Sequence, residues 1–375
     1  MANRIYLGTR KGLFEVVRDA GRWRVGRASF LGDHVVMLLP DAFENCVYAA
    51  LHHGHFGDKL HRSDDDGKTW QECAAPAYPE RPPEIPPTVN QMSQQEIPWK
   101  LDMIWSLESG GRDRPGTVWC GTVPGGLFRS TDRGRSWELI RSLWDRPERS
   151  GWFGGGLDKP GIHSICVDPR DSRKVAVGIS CGGVWMTGDD AKSWACRASG
   201  MRAEYMPPER QGDPNIQDAH RLVQSPSSPE VFWVQHHNGI FRTVDDGASW
   251  KEISAPPATP SAFGFAVAVH PKNPDIAWFV PAIKDERRIP IDGKFVVSRT
   301  RDGGKTFDVL RNGLPQEHAY DLVFRHGLDV DETGNLLAMG STTGTLWISE
   351  DSGERWTAVS EHLPPIYCVR IGSHA

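Results

Sequence analysis

One eight-residue pattern, present six times, limits what this chain can fold into more than any other feature. Ser63-Asp64-Asp65-Asp66-Gly67-Lys68-Thr69-Trp70 recurs as Ser130-Thr131-Asp132-Arg133-Gly134-Arg135-Ser136-Trp137 and as Thr243-Val244-Asp245-Asp246-Gly247-Ala248-Ser249-Trp250. Weaker copies begin at Thr187, Thr300 and Ser349 and end in Trp194, Phe307 and Trp356. Each copy has the chemistry of a tight turn between antiparallel strands: the Asp carboxylate accepts backbone N–H groups, the Gly supplies a positive φ, and the aromatic residue plugs into a core. A Gly-hydrophobic-aromatic strand precedes the copies, as in Gly126-Leu127-Phe128, Gly183-Val184-Trp185 and Gly239-Ile240-Phe241. Gly12-Leu13-Phe14 fits the same template and is followed by a worn turn at Asp19-Ala20-Gly21 and by Trp23, which makes a seventh repeat. Such self-similarity belongs to architectures built by repeating one supersecondary unit.

The pattern S/T-x-D-x-G-x-T/S-W resembles the Asp-box (BNR) repeat of sialidases, xyloglucanases and sortilin-like receptors. The resemblance implies an all-β, seven-bladed β-propeller with residues 1–375 as one domain. It implies little about chemistry, because those families do different things on one scaffold. In that topology the chain opens on the second strand of a blade, Ile5 to Gly8, and Ile366 to Ile371 has the alternation to supply that blade's innermost strand. Joining the two ends in one blade closes the ring and removes its open edge.

Composition narrows the function classes. With 39 Gly, 28 Pro, 24% charged residues and a net charge of −5, the chain is turn-rich and folded rather than disordered. The mildly acidic charge is spread along the sequence and offers nucleic acid no electrostatic footprint. No run reaches the length of an apolar membrane span and Met1 to Leu7 lacks a secretory pattern, so no membrane partner and a cytoplasmic location are expected. The seven cysteines contain no C-x-x-C pair and are read as small buried fillers. Gly154-Gly155-Gly156 is followed by neither Lys-Ser/Thr nor a helix, which makes it a turn rather than a phosphate loop.

The resemblance also implies where a site sits. Innermost strands run down a central channel from its upper mouth, the turns between second and third strands share that upper face, and the Asp-boxes lie below. Placing the innermost strands near His34–Leu39, Ile104–Glu108, His163–Val167, Ala219–Gln224, Phe265–Val269, Tyr320–Phe324 and Tyr367–Ile371 sets His34, His163 and His220 at equivalent points. The upper turns add His52, His53, His55, His236 and His237, so eight of the fourteen histidines converge on one face. Neutral imidazole is the commonest transition-metal ligand. His34, His163, His220 and His236 are therefore candidate ligands for one divalent transition metal, Zn, Mn or Fe. Water on such an ion would serve a hydrolase or lyase acting on a small polar molecule or carbohydrate. Trp105, Tyr320, His52, His237 and Arg10 are the substrate-binding candidates, and no organic cofactor is expected. The same histidines also fit a polar pocket without metal, or purely structural bonds between blades.

Other functions fit the scaffold as well. A glycosidase needs two facing carboxylates, for which Glu108 with Asp321, or Asp102 with Asp218, are available. Tyr205 is the candidate nucleophile for sialidase chemistry, which also needs three arginines around a carboxylate. Arg288-Ile289-Pro290 echoes the sialidase Arg-Ile-Pro element but sits late in the chain, and Arg10, Arg62 and Arg287 make no convincing set. A non-catalytic propeller that holds a glycan or peptide is the third class. Insertions at Ala74–Lys100, Ile140–Ile162 and Ser199–Asp218 are expected to roof the cavity with Trp99, Trp152, Phe153, Asp158, Glu204 and Glu209.

Overall fold

The Asp-box turns form as their chemistry dictates. Asp65 accepts the Thr69 N–H at 2.8 Å on one carboxylate oxygen and the Thr69 hydroxyl at 2.8 Å on the other, while the Ser63 hydroxyl donates to Asp65 and accepts the Gly67 N–H at 2.7 Å. The carboxylate bonds recur at Asp132, Asp189, Asp245 and Asp302, and Asp351 keeps the backbone half. These bonds, that from the Thr69 N–H foremost, hold the Asp65 carboxyl down at about 2. Asp66 and Gly67 take φ of 59° and 77°, and the turn that begins at Thr187 keeps this left-handed pair with Ala191 in the glycine's place.

The computed structural model describes residues 2–155, 159–253 and 261–372, so Gly156 and Asp158 lie outside the described residues. Seven four-stranded antiparallel sheets stand in a ring, and each box joins the third and fourth strands of one of them. The first complete blade is His34–Asp41, Cys46–His52, Asp58–Ser63 and Gln71–Cys73. The innermost strands of the next four are Met103–Ser109, Ile162–Val167, Ala219–Gln224 and Gly264–Val269. The composite blade is present as expected: Ile366–Ile371 pairs antiparallel with Arg4–Thr9, Ile5 opposite Ile371 and Gly8 opposite Cys368.

Sheets pack face against face through large buried side chains. Trp185, Trp233 and Trp278 are fully buried. The indole N–H groups of Trp233 and Trp278 donate across to the next blade, to Pro274 O at 2.9 Å and Ser352 O at 3.0 Å. Apolar burial and one satisfied polar handle thus come from a single residue. Truncating such a residue to alanine costs about 3–5 kcal/mol. All seven cysteines are free, and Cys46, Cys120, Cys181 and Cys368 are buried. No helix among the described residues is long and apolar enough to cross a membrane.

The sixth innermost strand departs from expectation. It is Leu328–Val330, not Tyr320–Phe324. Residues 319–324 join no sheet. Asp321 accepts from the Ser341 and Thr343 hydroxyls, the Thr342 N–H donates to Leu322 O at 2.9 Å, and the strand begins only after the turn that brings the Gly327 N–H to Phe324 O at 2.8 Å.

Six of the seven innermost strands share an irregularity at their upper ends. Pairing skips Val36, Trp105, His163 and His220, skips Phe265 with Ala266, and skips Tyr367. A bulge releases a residue from the ladder and re-aims its side chain. Here that device is repeated around the channel.

Candidate functional site

The bulges decide what faces the upper mouth. Rings contributed by successive blades touch in series: His220 stacks on Phe265 at 4.5 Å between centroids, Phe265 meets Phe324 at 5.5 Å, Phe324 stacks on Tyr367 at 5.8 Å, and Tyr367 meets His34 at 4.9 Å. From the remaining two blades Trp105 meets His163 edge-on at 5.6 Å. Inside lies a cavity of about 230 Å³ lined by His34, Trp105, Phe265, Phe324, Arg325 and Tyr367, among others.

Two guanidinium groups line the cavity, Arg288, which is paired with Asp285, and Arg325. The Arg325 guanidinium lies 4.9 Å from the Trp105 ring and 5.3 Å from that of Phe265, and its Nε has no hydrogen-bond partner. Burial pushes it down to about 10, so it remains a cation at neutral pH. A planar cation held between aromatic faces, with no carboxylate against it among the described residues, is set up to receive an anion.

Beside the cavity, sharing Phe265 as a wall, Asp218, His220 and His237 converge. One Asp218 oxygen lies 3.3 Å from His220 Nε2 and 3.4 Å from His237 Nδ1. Its other oxygen accepts the Cys181 N–H at 3.2 Å and the Ser180 hydroxyl at 3.4 Å. His220 Nδ1 lies 2.6 Å from Gly264 O, a carbonyl that can only accept, so this nitrogen carries a proton. Asp218 and His220 are buried and His237 forms the rim, its side chain 20% exposed. Burial works against the Asp218 charge, but His220, His237 and Arg325 together hold its carboxyl well below the usual range. Burial lowers His220. His237 is also buried against its charge, yet hydrogen bonding to Asp218 outweighs that and raises it.

The structure brings together some of the predicted residues and scatters others. His163 and His220 occupy equivalent bulges, whereas in the first blade the bulge residue is Val36 and His34 pairs opposite His52. The expected metal set of His34, His163, His220 and His236 does not assemble: among the described residues the one metal-type cluster is Asp218, His220 and His237. His236 lies on the second strand of its blade, fully buried against Phe241, its Nδ1 accepting the Asn238 N–H at 3.1 Å, and burial pushes it down to about 3. His163 is held by the Ser164 hydroxyl at 2.9 Å, and burial keeps it well below the usual range. His34 is pushed down to about 4 by burial, with nearby His52 and Arg10 adding to the effect. His52 is fixed to Asp58 at 2.8 Å, the bond that raises it.

The carboxylate pairs do not face one another. Glu108 lines the opposite end of the channel with Arg221, Asp329 and Arg370, because it ends its strand where Trp105 begins it. Asp321 is bonded to Ser341 and Thr343, and Asp102 is paired with Lys159. Tyr205 does reach the site, edge-on to His237 at 5.1 Å, but its hydroxyl donates to Ile216 O at 2.8 Å and burial raises it far above the usual phenol range. Tyr320, 61% exposed, lies off the mouth because its segment is not the innermost strand. Trp152 is a fully buried prop whose indole N–H donates to Asn215 at 2.8 Å. Arg325 and Phe324 were outside the expected set. The Asp218-Ala219-His220 run opposite the His236-His237 turn of the same hairpin, Ala219 pairing with His236, was the signal that marked the cluster.

No protein-family model matches the chain. It is similar to xyloglucanase Xgh74A of Acetivibrio thermocellus, 26% identical over 150 residues, 36% of this chain and 16% of the relative. It is also similar to a probable oligoxyloglucan-reducing end-specific xyloglucanase of Neosartorya fischeri, 23% identical over 295 residues, 69% of this chain and 32% of the relative. Among solved structures, the GH74 xyloglucanase from Xanthomonas campestris superposes with a TM-score of 0.64 at 17% identity, covering 96% of this chain and 53% of that one. The chain spans less than a third of each of the two curated relatives, and what it shares with the solved enzyme is the seven-bladed β-propeller fold.

Proposed function

We propose that the protein is a hydrolase of a small acidic carbohydrate, bound at the upper mouth. The observation that carries this is the junction of an aromatic cavity holding an unpaired Arg325 with the buried Asp218–His220–His237 cluster. Aromatic faces such as those of Trp105 and Tyr367 suit the apolar face of a sugar ring, and a guanidinium suits its carboxylate or other anionic substituent. The names of the curated relatives point to carbohydrate as well. Asp218 stands without a second facing carboxylate from the predicted pairs, so the two-carboxylate device of most glycosidases is not what this mouth offers. Water is activated instead at the cluster: its hydroxyl goes to the carbon attacked and its proton, through the cluster, to the departing oxygen.

The test is turnover of matched neutral and uronic-acid-bearing oligosaccharides by the full chain. Asp218→Asn is expected to lower kcat by about 10²–10⁴-fold. Arg325→Met is expected to raise KM for the acidic substrate by about 10–100-fold and leave the neutral analogue unchanged. Saturable binding of the acid with no product from the wild type would favour a glycan-holding propeller instead.

A further inference from the structure

Asp218 Oδ2, His220 Nε2 and His237 Nδ1 lie within 4.8 Å of one another at the rim of the mouth. Charge-assisted hydrogen bonds between imidazolium and carboxylate close to about 2.7–2.9 Å. The separations here are 3.3 and 3.4 Å, both to the same oxygen. Donor atoms bound at the usual 2.0–2.2 Å to a common ion stand roughly 3.0–3.5 Å apart in tetrahedral or octahedral arrangements, the range of both separations from the Asp218 oxygen.

The hydrogen-bonding pattern argues the same way. His220 carries its proton on Nδ1, toward Gly264 O at 2.6 Å. In the neutral ring Nε2 therefore presents a lone pair to a carboxylate oxygen that also has only lone pairs to offer. His237 Nδ1 is buried, and its one polar neighbour is that same Asp218 oxygen, at 3.4 Å, too long for a well-formed hydrogen bond. Two imidazole nitrogens and a carboxylate oxygen that converge at these separations form a donor set a cation can fill.

We propose that Asp218, His220 and His237 bind one divalent transition metal of the Zn, Mn or Fe(II) class, with further coordination positions open toward the mouth. The surroundings have the build of such a site. Each outer contact fixes a ligand: Gly264 O orients His220, the Cys181 N–H and the Ser180 hydroxyl hold the non-coordinating oxygen of Asp218, and the Tyr205 ring packs edge-on to His237. Two imidazoles and one carboxylate suit these metals and not calcium or magnesium, which prefer oxygen-only shells. The assignment deepens the reactive centre of the proposed function, but metal binding is measured without any substrate.

Chelator-stripped full-length protein is titrated with Zn²⁺ and, separately, Mn²⁺ by calorimetry, and its metal content is determined after dialysis. One ion per chain is expected. His237→Ala, at the partly exposed rim where folding is least at risk, is expected to weaken binding by at least roughly 100-fold, as loss of one of three ligands does. His55→Ala, an exposed histidine of the same face, is expected to bind as wild type. A wild type that takes up no ion, or a His237→Ala variant that binds as tightly as wild type, overturns the assignment. Turnover of the sugar acid on the same samples separates the two ideas: metal bound at these ligands without turnover removes the hydrolase reading alone.

Discussion

Glu108 shows how far a single side chain's meaning depends on where its strand begins and ends. It lies at the bottom of Met103–Ser109, facing Arg221, Arg370, Asp41 and Asp329 in the channel. Burial pushes its carboxyl up to about 7, against the Ser109 N–H bond and the two arginine charges. The ordinary value is about 4.5, so between these limits the folded state holds more proton than the unfolded one and stability falls as pH rises. Glu108→Gln is expected to remove that slope, making the variant on the order of 2 kcal/mol more stable relative to wild type above pH ~7 than below pH ~4.5. Urea unfolding of both proteins at the two ends of the window measures the difference, and a constant gap between the curves would show that folding does not shift the Glu108 carboxyl. His163 and His220 were legible because a strand's first residues tend to ring the mouth. His34 was not distinguishable from them, since only the pairing of His34 with His52 reveals that Val36 takes the bulge.

At the scale of the element, the box turn is legible because all its bonds lie within seven residues, from Ser63 to Thr69. The bulges are not, because they arise where an inner strand meets its neighbour, and the sequence at Trp105 or Tyr367 carries no mark of a skipped pair. The joints between blades are likewise tertiary. Gly313 has φ +81° and a Cβ there would fall 1.8 Å from Trp356 O, the carbonyl of a neighbouring box, whereas Gly21, with the same φ, has nothing within 4 Å. Gly21→Ala should therefore cost only the left-handed conformation, about 1 kcal/mol, while Gly313→Ala adds a backbone clash and should cost roughly 3 kcal/mol or more. Denaturation midpoints of the two variants separate strain from contact. Equal losses would mean that the joint yields to a methyl group and that box and neighbour are loosely docked.

The whole molecule rests on one seam, where the two ends of the chain meet in a single blade. Ile366, Cys368 and Val369 are fully buried, and Val369 packs in a cluster with Ala2, Ile5, Leu7 and Val16 from the opposite end of the sequence. Each sheet is covered by its two neighbours, so losing this strand uncovers the edge of Arg4–Thr9 and removes one wall of the channel at once. Because every blade depends on the next, the damage should not stay in one sheet. Truncation after Pro365 is expected to lower the melting temperature of the entire protein and to replace one sharp calorimetric transition by a broad one. A synthetic peptide of residues 366–372, added to the truncated chain, should restore the sharp transition by adding back the missing strand, the main-chain bonds from Ile5 to Thr9 supplying the register. Recovery that scales with peptide concentration makes ring closure the source of cooperativity. A truncated protein that melts as wild type does would place that source in the six complete blades, with the seam only a cover over their edge.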